Sequence, residues 1–215
     1  MQRYGKLLLG TLAVVLLSMA AVANVSAQTI AGTKHDLSTN ATSLGVTNYN
    51  QICVYCHAPH NASTTLPLWN HTPTTTVTFQ MYNASNSSTM DMTVGSAPGT
   101  VSLACLSCHD GTIGLDVVQN VPAGKTAVGT VKIGGTHLLG ADLRNDHPIA
   151  VTYNNVTDVA FNAKVTGKVG ALPLYGTGKD QVECASCHNV HNNVNGSFLR
   201  IANTNSALCL TCHIK

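Results

Sequence analysis

The sequence predicts a mostly irregular chain, with short α-helices at four cysteine–histidine motifs and few short strands elsewhere. Aromatic residues make up only 5% of the 215 residues, while Thr, Asn, Ser and Gly are abundant. A chain with so few large side chains buries little apolar surface of its own, so it needs a covalent staple. All eight cysteines belong to C-x-x-C-H motifs, at Cys53–His57, Cys105–His109, Cys184–His188 and Cys209–His213.

The histidine after each cysteine pair favours a porphyrin staple over disulfides. Disulfides are the first expectation for eight cysteines in an exported chain, but they require no histidine. Only 10 of the 215 residues are histidine, yet one follows every C-x-x-C pair. This pattern is the signature of covalent c-type haem attachment, whereas structural zinc sites usually place histidine far from the cysteine pair. The sequence therefore predicts four haem c groups and a haem-centred core.

The spacing of each motif fits the chemistry of attachment. Two thiols add to the two vinyl groups of one porphyrin, and the adjacent histidine reaches the iron from the side that the peptide covers. The predicted covalent attachment residues are Cys53, Cys56, Cys105, Cys108, Cys184, Cys187, Cys209 and Cys212. The predicted proximal iron ligands are His57, His109, His188 and His213.

Few regular elements are expected before the second motif. Residues 28–51 are polar and predicted to be irregular, and a short helix over Cys53–His57 is predicted to end at Pro59. Alternating residue types at 76–82 predict a short strand or extended segment.

The later motifs are predicted to lie on helices with recognisable ends. Ser102 is a candidate N-cap for a helix through the motif that ends at His109, with Gly111 as its C-cap. Asp180 is expected to cap a helix through His191. A last helix from about residue 205 is expected to carry the fourth motif.

The order of motifs repeats along the chain. The octets Cys53–His60 and Cys184–His191 share the pattern C-x-x-C-H-x-x-H, and each is preceded by a histidine and followed by a second C-x-x-C-H motif. Only the loop lengths differ, as is usual in diverged repeats. We therefore divide the chain into a signal peptide at 1–27 and a tetrahaem domain at 28–215. That domain comprises repeat unit one (28–112), a Gly-rich linker (113–140) and repeat unit two (141–215).

Two histidines that close the octets are the first candidates for a sixth, distal iron ligand. His60 and His191 lie three residues after a proximal histidine, on a neighbouring face of a helical turn, so neither can share that histidine's iron. Each is expected to bind the next haem in sequence. By the repeat, His35 and His147 are expected to serve the first haem of their units.

Other side chains compete for the distal positions. His71 follows Trp69, whose ring can pack on a porphyrin, and His137 is the remaining spare histidine. Methionines at 81, 90 and 92 are an alternative that the surplus of histidines makes unnecessary. The choice affects redox potential, because Met/His ligation raises it and bis-histidine haems therefore sit lower.

The N-terminus predicts export. A short basic stretch precedes the apolar segment Leu7–Ala23, and Val25–Ala27 is a small-residue cleavage site, which is the order of a secretory signal peptide. Cleavage removes Arg3 and Lys6 from the 11 basic residues, which leaves 9, equal to the 9 acidic residues. Haem propionates then make the protein acidic, which argues against a nucleic-acid partner. No transmembrane segment is expected after cleavage.

Several phrases resemble the doubled-CxxCH multihaem c-type cytochromes of metal-reducing and anaerobic bacteria. The phrases are Lys34–Ser38, Cys56–His60, Pro67–His71, Cys108–Thr112, Asp146–Ile149 and the octet that ends at His191. Four haems in a chain of this length are most similar to the tetrahaem outer-surface cytochromes that polymerise into conductive filaments. The resemblance implies electron transfer, bis-histidine ligation and an extracellular or periplasmic site. It also implies that a neighbouring protomer can supply one ligand, with His35 as one candidate.

The sequence thus favours an electron-transfer protein over an enzyme. The leading interpretation is a filament subunit whose partners are other copies of itself, other redox proteins or extracellular electron acceptors. A soluble periplasmic electron shuttle is the alternative. A multihaem reductase is a third reading, and it requires an open iron position, which the surplus of histidines disfavours.

Overall fold

Irregular backbone dominates the computed structural model, which describes residues 29–62, 66, 68–83 and 85–214. This confirms the predicted fold class. The predicted signal peptide at 1–27 lies outside the described residues. The helices are α1 (Leu37–Leu44), α2 (Thr100–His109), α3 (Cys184–Cys187) and α4 (Ala207–Cys212), with 3₁₀ turns at Gly135–His137 and Thr204–Ser206. No helix in the described ranges is long and apolar enough to cross a membrane.

The named strands are short and all lie in the second half of the chain. They are β1 (Val151–Thr152), β2 (Lys168–Val169), β3 (Leu172–Pro173) and β4 (Gln181–Val182). β1 pairs with β4 and β2 pairs with β3, both antiparallel, with Val151 opposite Val182 and Val169 opposite Leu172. The sequence predicted a short strand or extended segment at 76–82, and no named strand forms there. Gln80 makes one isolated bridge to Asp142, and the flanking Met81 packs in an apolar cluster instead.

Helix α1 replaces an expected irregular segment. Asp36 accepts a hydrogen bond from the backbone N–H of Thr39 and so caps the N-terminus, while Gly45 ends the helix in the left-handed region at φ 73°. The prediction of irregular backbone was wrong for this helix, because it relied on the polar composition of the segment. The two capping residues were visible in the sequence. Ala41 is the buried residue of this helix and joins the cluster formed with Val46 and Leu115.

The helices at the motifs have other boundaries than predicted. Ser102 lies inside α2, and the N-cap of that helix is Gly99. The Ser102 hydroxyl donates to Glu183 instead of capping the helix. Asp180 caps no helix, since Glu183 caps α3 through a reciprocal capping box with Ser186. Helix α3 ends at Cys187, so the predicted helix through His191 does not form.

The first motif also lacks a helix. It forms one hydrogen-bonded turn, in which the N–H groups of Cys56 and His57 both donate to the Cys53 carbonyl at 3.1 and 2.8 Å. The fourth motif lies on α4 close to the predicted position, and Gly111 adopts the left-handed conformation one residue beyond the C-cap of α2.

A buried carboxylate organises the segment at 113–140. Asp116 is 0% exposed and accepts the N–H groups of Thr47 at 2.8 Å, Val128 at 2.8 Å and Gly129 at 3.0 Å. Burial alone would raise the pKa of Asp116, but these N–H donors together lower it. Val131 packs on the α1 cluster, so this segment lies against repeat unit one.

We expect Asp116→Asn to lower the free energy of unfolding by about 1–3 kcal/mol at neutral pH, because one acceptor oxygen is replaced by a donor. The lowered pKa makes the carboxylate's contribution fully present above the unfolded-state pKa of about 4 and lost as the pH falls through the folded-state value. The difference between variant and wild type in chemical denaturation should therefore shrink below about pH 4. Asp142→Asn is the matched control, since this exposed carboxylate pairs only with exposed Arg144. Equal effects of the two substitutions would contradict the assignment.

Candidate functional site

Three pairs of histidine rings lie at nearly the same centroid distance, with interplanar angles of 57°, 20° and 78°. The ring centroids lie 6.2 Å apart for His35 and His109, 6.1 Å for His57 and His191, and 6.5 Å for His147 and His213. Each pair joins the histidine of a C-x-x-C-H motif to one outside the motifs. The pairs bring together segments that are far apart in sequence.

The gap has the size that one metal ion requires. A metal–imidazole bond is about 2.0–2.1 Å long and a ring nitrogen lies about 1.1 Å from its centroid, so two imidazoles on opposite sides of one ion have centroids about 6.3 Å apart. In the described residues no group of three or more His, Cys, Asp or Glu side chains forms a metal cluster. A pair of ligands is what a haem iron takes, since the porphyrin supplies the other four donors. The residues therefore fit the group that the motifs predict.

Hydrogen bonds orient several of these rings. Nδ1 of His109 lies 2.8 Å from the His137 carbonyl, Nδ1 of His188 lies 2.9 Å from the Ser197 carbonyl, and Nδ1 of His147 lies 3.0 Å from that of Pro148. A carbonyl at Nδ1 requires the proton there and leaves Nε2 free to bind a metal. This is the usual arrangement around a metal-bound histidine.

Backbone bridges and burial hold the proximal histidines further. His57, His188 and His213 each form an isolated β-bridge, to Trp69, Leu199 and Phe161 respectively. Burial and the nearby His191 lower the pKa of His57. The neutral imidazole that results is the form that coordinates a metal.

His35 is half-buried in its pair with His109. Burial, and then the neighbouring histidines with His109 first, lower its pKa to about 4. Its ring packs edge-on against Phe198 at a centroid distance of 4.4 Å.

Cysteines of successive motifs lie near one another. Cys56 lies near Cys108, Cys105 lies beside Cys184, and Cys187 lies near both Cys209 and Cys212, close enough in each case to interact electrostatically. All eight cysteines are free thiols rather than disulfides. The contact between the second and third motifs comes from packing of α2 on α3.

A buried polar junction fixes that contact. Glu183 is 2% exposed and accepts the Ser102 hydroxyl, while Ser102 Oγ accepts the backbone N–H of Cys184 at 3.0 Å. Burial raises the pKa of Glu183, although the bonds from Ser102 and Gly99 oppose this shift. Sequence reasoning missed Glu183, because its partner Ser102 lies in another repeat unit.

The pairing differs from the order expected from the sequence. His35 faces His109 rather than His57, His191 faces His57 rather than His213, and His147 faces His213 rather than His188. The expectation for His191 relied on helical spacing, but α3 ends at Cys187 and the octet continues as a loop. That loop carries His191 across to repeat unit one.

Three histidines outside the motifs have no ring opposite them among the described residues. His60 and His137 are exposed. The repeat suggested that His60 would pair with His109, but the partner of His109 is His35. His71 is 1% exposed, and carbonyls of Thr72 and Gly114 lie 3.1 and 3.0 Å from its two ring nitrogens. These carbonyls occupy the positions that an iron would take, so His71 is a packed histidine here. Met81 and Met92 are likewise buried in apolar clusters.

Comparison with known proteins supports the haem interpretation over part of the chain. Residues 177–215 match the family described as the doubled CXXCH motif. The match covers the third and fourth motifs and supports a multihaem c-type cytochrome-like protein with covalently bound haem and a function in electron transfer. No curated protein matches the chain.

We expect His71→Leu to leave haem content and the low-spin optical spectrum unchanged, because neither ring nitrogen is available to iron. The same substitution should lower the free energy of unfolding by about 1–3 kcal/mol, since the neutral ring donates to one of the two carbonyls and its loss leaves that carbonyl without a donor. His147→Leu provides the contrast and should change the haem spectrum. A high-spin signal in His71→Leu would show that His71 is a ligand after all.

Proposed function

We propose that this chain transfers electrons through four covalently attached, closely packed bis-histidine haems, as an exported subunit of an extracellular cytochrome filament. The observation that carries the proposal is the set of three facing histidine pairs, each spaced for one metal ion and each containing a motif histidine. When bound, haem supplies an iron that alternates between the ferric and ferrous states.

The chain's own residues attach, orient and enclose the groups. Each C-x-x-C pair supplies two thiols for thioether bonds, and the motif histidine supplies one axial ligand. His35, His191 and His147 supply the opposite ligand for the motifs at Cys105, Cys53 and Cys209 respectively. The three haems with two histidine ligands have no iron position open to a substrate, which favours electron transfer over a reductase.

The proximity of the motifs supports transfer from one haem to the next. Neighbouring cysteines connect the first motif to the second, the second to the third, and the third to the fourth. His191, in the loop after His188, adds a connection between the third motif and the first. Every motif therefore has at least one close neighbour within the chain.

The environment of His188 supports the proposal that the chain forms a polymer. Its Nδ1 is bound to the Ser197 carbonyl, its ring is exposed, and no second histidine ring faces it among the described residues. His60 and His137 are both exposed and not part of a facing pair. A ligand donated by a second copy would complete this haem and join the copies. His35 is not suited to that donation, because it already faces His109.

Imaging of the secreted protein tests the polymer. We expect cryo-microscopy of the wild type to show filaments. We expect one of the two variants His60→Ala and His137→Ala, whichever removes the donated ligand, to give short or single particles instead. His71→Leu is the matched control and should leave filaments intact. Discrete wild-type monomers retained in the periplasm would favour the soluble shuttle, and filaments that persist in both alanine variants would exclude these donors.

The haem at Cys53–His57 should lose its sixth ligand in His191→Ala, because the His191 ring faces His57. We expect a high-spin ferric signal from one haem, with all covalent attachments retained. A structure of the variant should show the open iron position opposite His57.

His147→Ala is the comparison and should open the position opposite His213. If His191→Ala instead opened the position opposite His213, His191 would be the ligand of the fourth haem, as the sequence first suggested.

A further inference from the structure

His35 is oriented differently from three other ligand histidines, His109, His147 and His188. Its Nδ1 is buried and has no hydrogen-bond partner in the described part of the chain. By contrast, a carbonyl lies at Nδ1 of His109, of His147 and of His188. The orientation of His35 must therefore come from its backbone and from packing on its ring.

The neighbouring carboxylate fixes the backbone on both sides of His35. Asp36 is 2% exposed. Its Oδ1 accepts the N–H of Thr39 at 3.0 Å and the hydroxyl of Ser38 at 2.8 Å, which caps α1. Its Oδ2 accepts the N–H of Gly32 at 2.9 Å, which ties down the loop before His35, and also accepts the hydroxyl of Thr39 at 2.7 Å. One side chain thus holds the helix after His35 and the loop before it.

Asn40 reinforces the same turn from the helix. Its Nδ2 donates to the carbonyl of Thr33 at 3.1 Å and to that of Asp36 at 2.8 Å. The Asp36 N–H also donates to Thr33 at 3.1 Å. Local bonds therefore restrict the backbone around His35 without any contact to the distant parts of the chain.

The ring itself is restricted by a residue from repeat unit two. Phe198 is buried and packs edge-on against the His35 ring. The backbone of Phe198 is fixed in turn, since its N–H donates to Asn193 Oδ1 at 2.9 Å and its carbonyl accepts the N–H of Asn189 at 2.7 Å. Backbone and ring are thus constrained by independent contacts.

We propose that Asp36 is a positioning residue that keeps His35 opposite His109, with Phe198 fixing the rotation of the ring. This inference rests on the proposed haem function, because it assigns Asp36 a role in ligation as well as in folding. Asp36 does not touch the iron. It acts by restricting the places that the His35 imidazole can reach, so that ligand loss from this haem becomes rare.

Asp36→Asn separates the two halves of this arrangement. Asparagine caps helices as well as aspartate, so Oδ1 can still accept from Thr39 and retain α1. The new amide group puts a donor opposite the Gly32 N–H, so the tie to the preceding loop is lost. The Thr39 hydroxyl, which donates to Oδ2 in the wild type, can rotate to accept from this amide. We expect carbon monoxide to bind one haem of the reduced holo-protein about tenfold more readily than in wild type, which corresponds to about 1.4 kcal/mol.

Ser38→Ala is the matched control, because it removes a bond to Oδ1 only, and its carbon monoxide binding should stay close to wild type. His35→Ala gives the signal for complete ligand loss. Asn40→Ala loosens the same turn without changing Asp36 and should raise carbon monoxide binding in the same direction, which keeps the inference testable if Asp36→Asn does not fold.

The outcomes distinguish this inference from the function beneath it. Wild-type protein with covalent low-spin haem, but with no increase in Asp36→Asn or in Asn40→Ala, would overturn the role of Asp36 alone. An increase in Ser38→Ala as large as in Asp36→Asn would reduce Asp36 to a helix cap. Wild-type protein without covalent haem would instead overturn the proposed function.

Discussion

Facing histidine rings are the constraint around which this chain is arranged. Among the described residues the apolar core is divided into four small clusters, so side-chain packing alone offers little to connect distant segments. The three ring pairs supply such connections, and the pair of His57 and His191 joins the two repeat units directly. In the proposed holo-protein each pair becomes a covalent and coordinate cross-link, which gives a chain with a thin core the staple that it needs.

Polar side chains supply backbone hydrogen bonds that regular secondary structure supplies in other proteins. Most backbone N–H groups lie outside helices and ladders, and buried ones need acceptors. Asp36, Asp116 and Glu183 each accept such bonds while almost fully buried. Asn70 is 0% exposed, and its side chain connects the Val54 carbonyl to the N–H of Asn120. The abundance of Asn, Ser and Thr thus has a structural reason, since these residues bond readily to nearby backbone.

Two of the buried carboxylates, Asp36 and Glu183, also relate the scaffold to the proposed electron path. Asp36 borders the ligand His35, and Glu183 lies where the second and third motifs meet. Each holds a motif or a ligand through backbone bonds rather than through contact with the metal site. Proximity of the motifs and orientation of the ligands, which together govern transfer between haems, therefore depend on residues that carry no redox chemistry.

The sequence by itself determined the chemistry of the site. Four C-x-x-C-H motifs, the surplus of histidines and the scarcity of aromatic residues predicted covalent haem and an irregular fold, because these patterns are local and their spacing is set by the porphyrin. The capping pair of Asp36 and Gly45 was also legible, although α1 was not predicted from it. The tertiary structure alone decided which histidine faces which motif. His191 reaches His57 because α3 ends at Cys187, and His71 is enclosed by carbonyls of Thr72 and Gly114. Such pairings depend on how loops return across the molecule, and that information is spread over long-range contacts that no local pattern records.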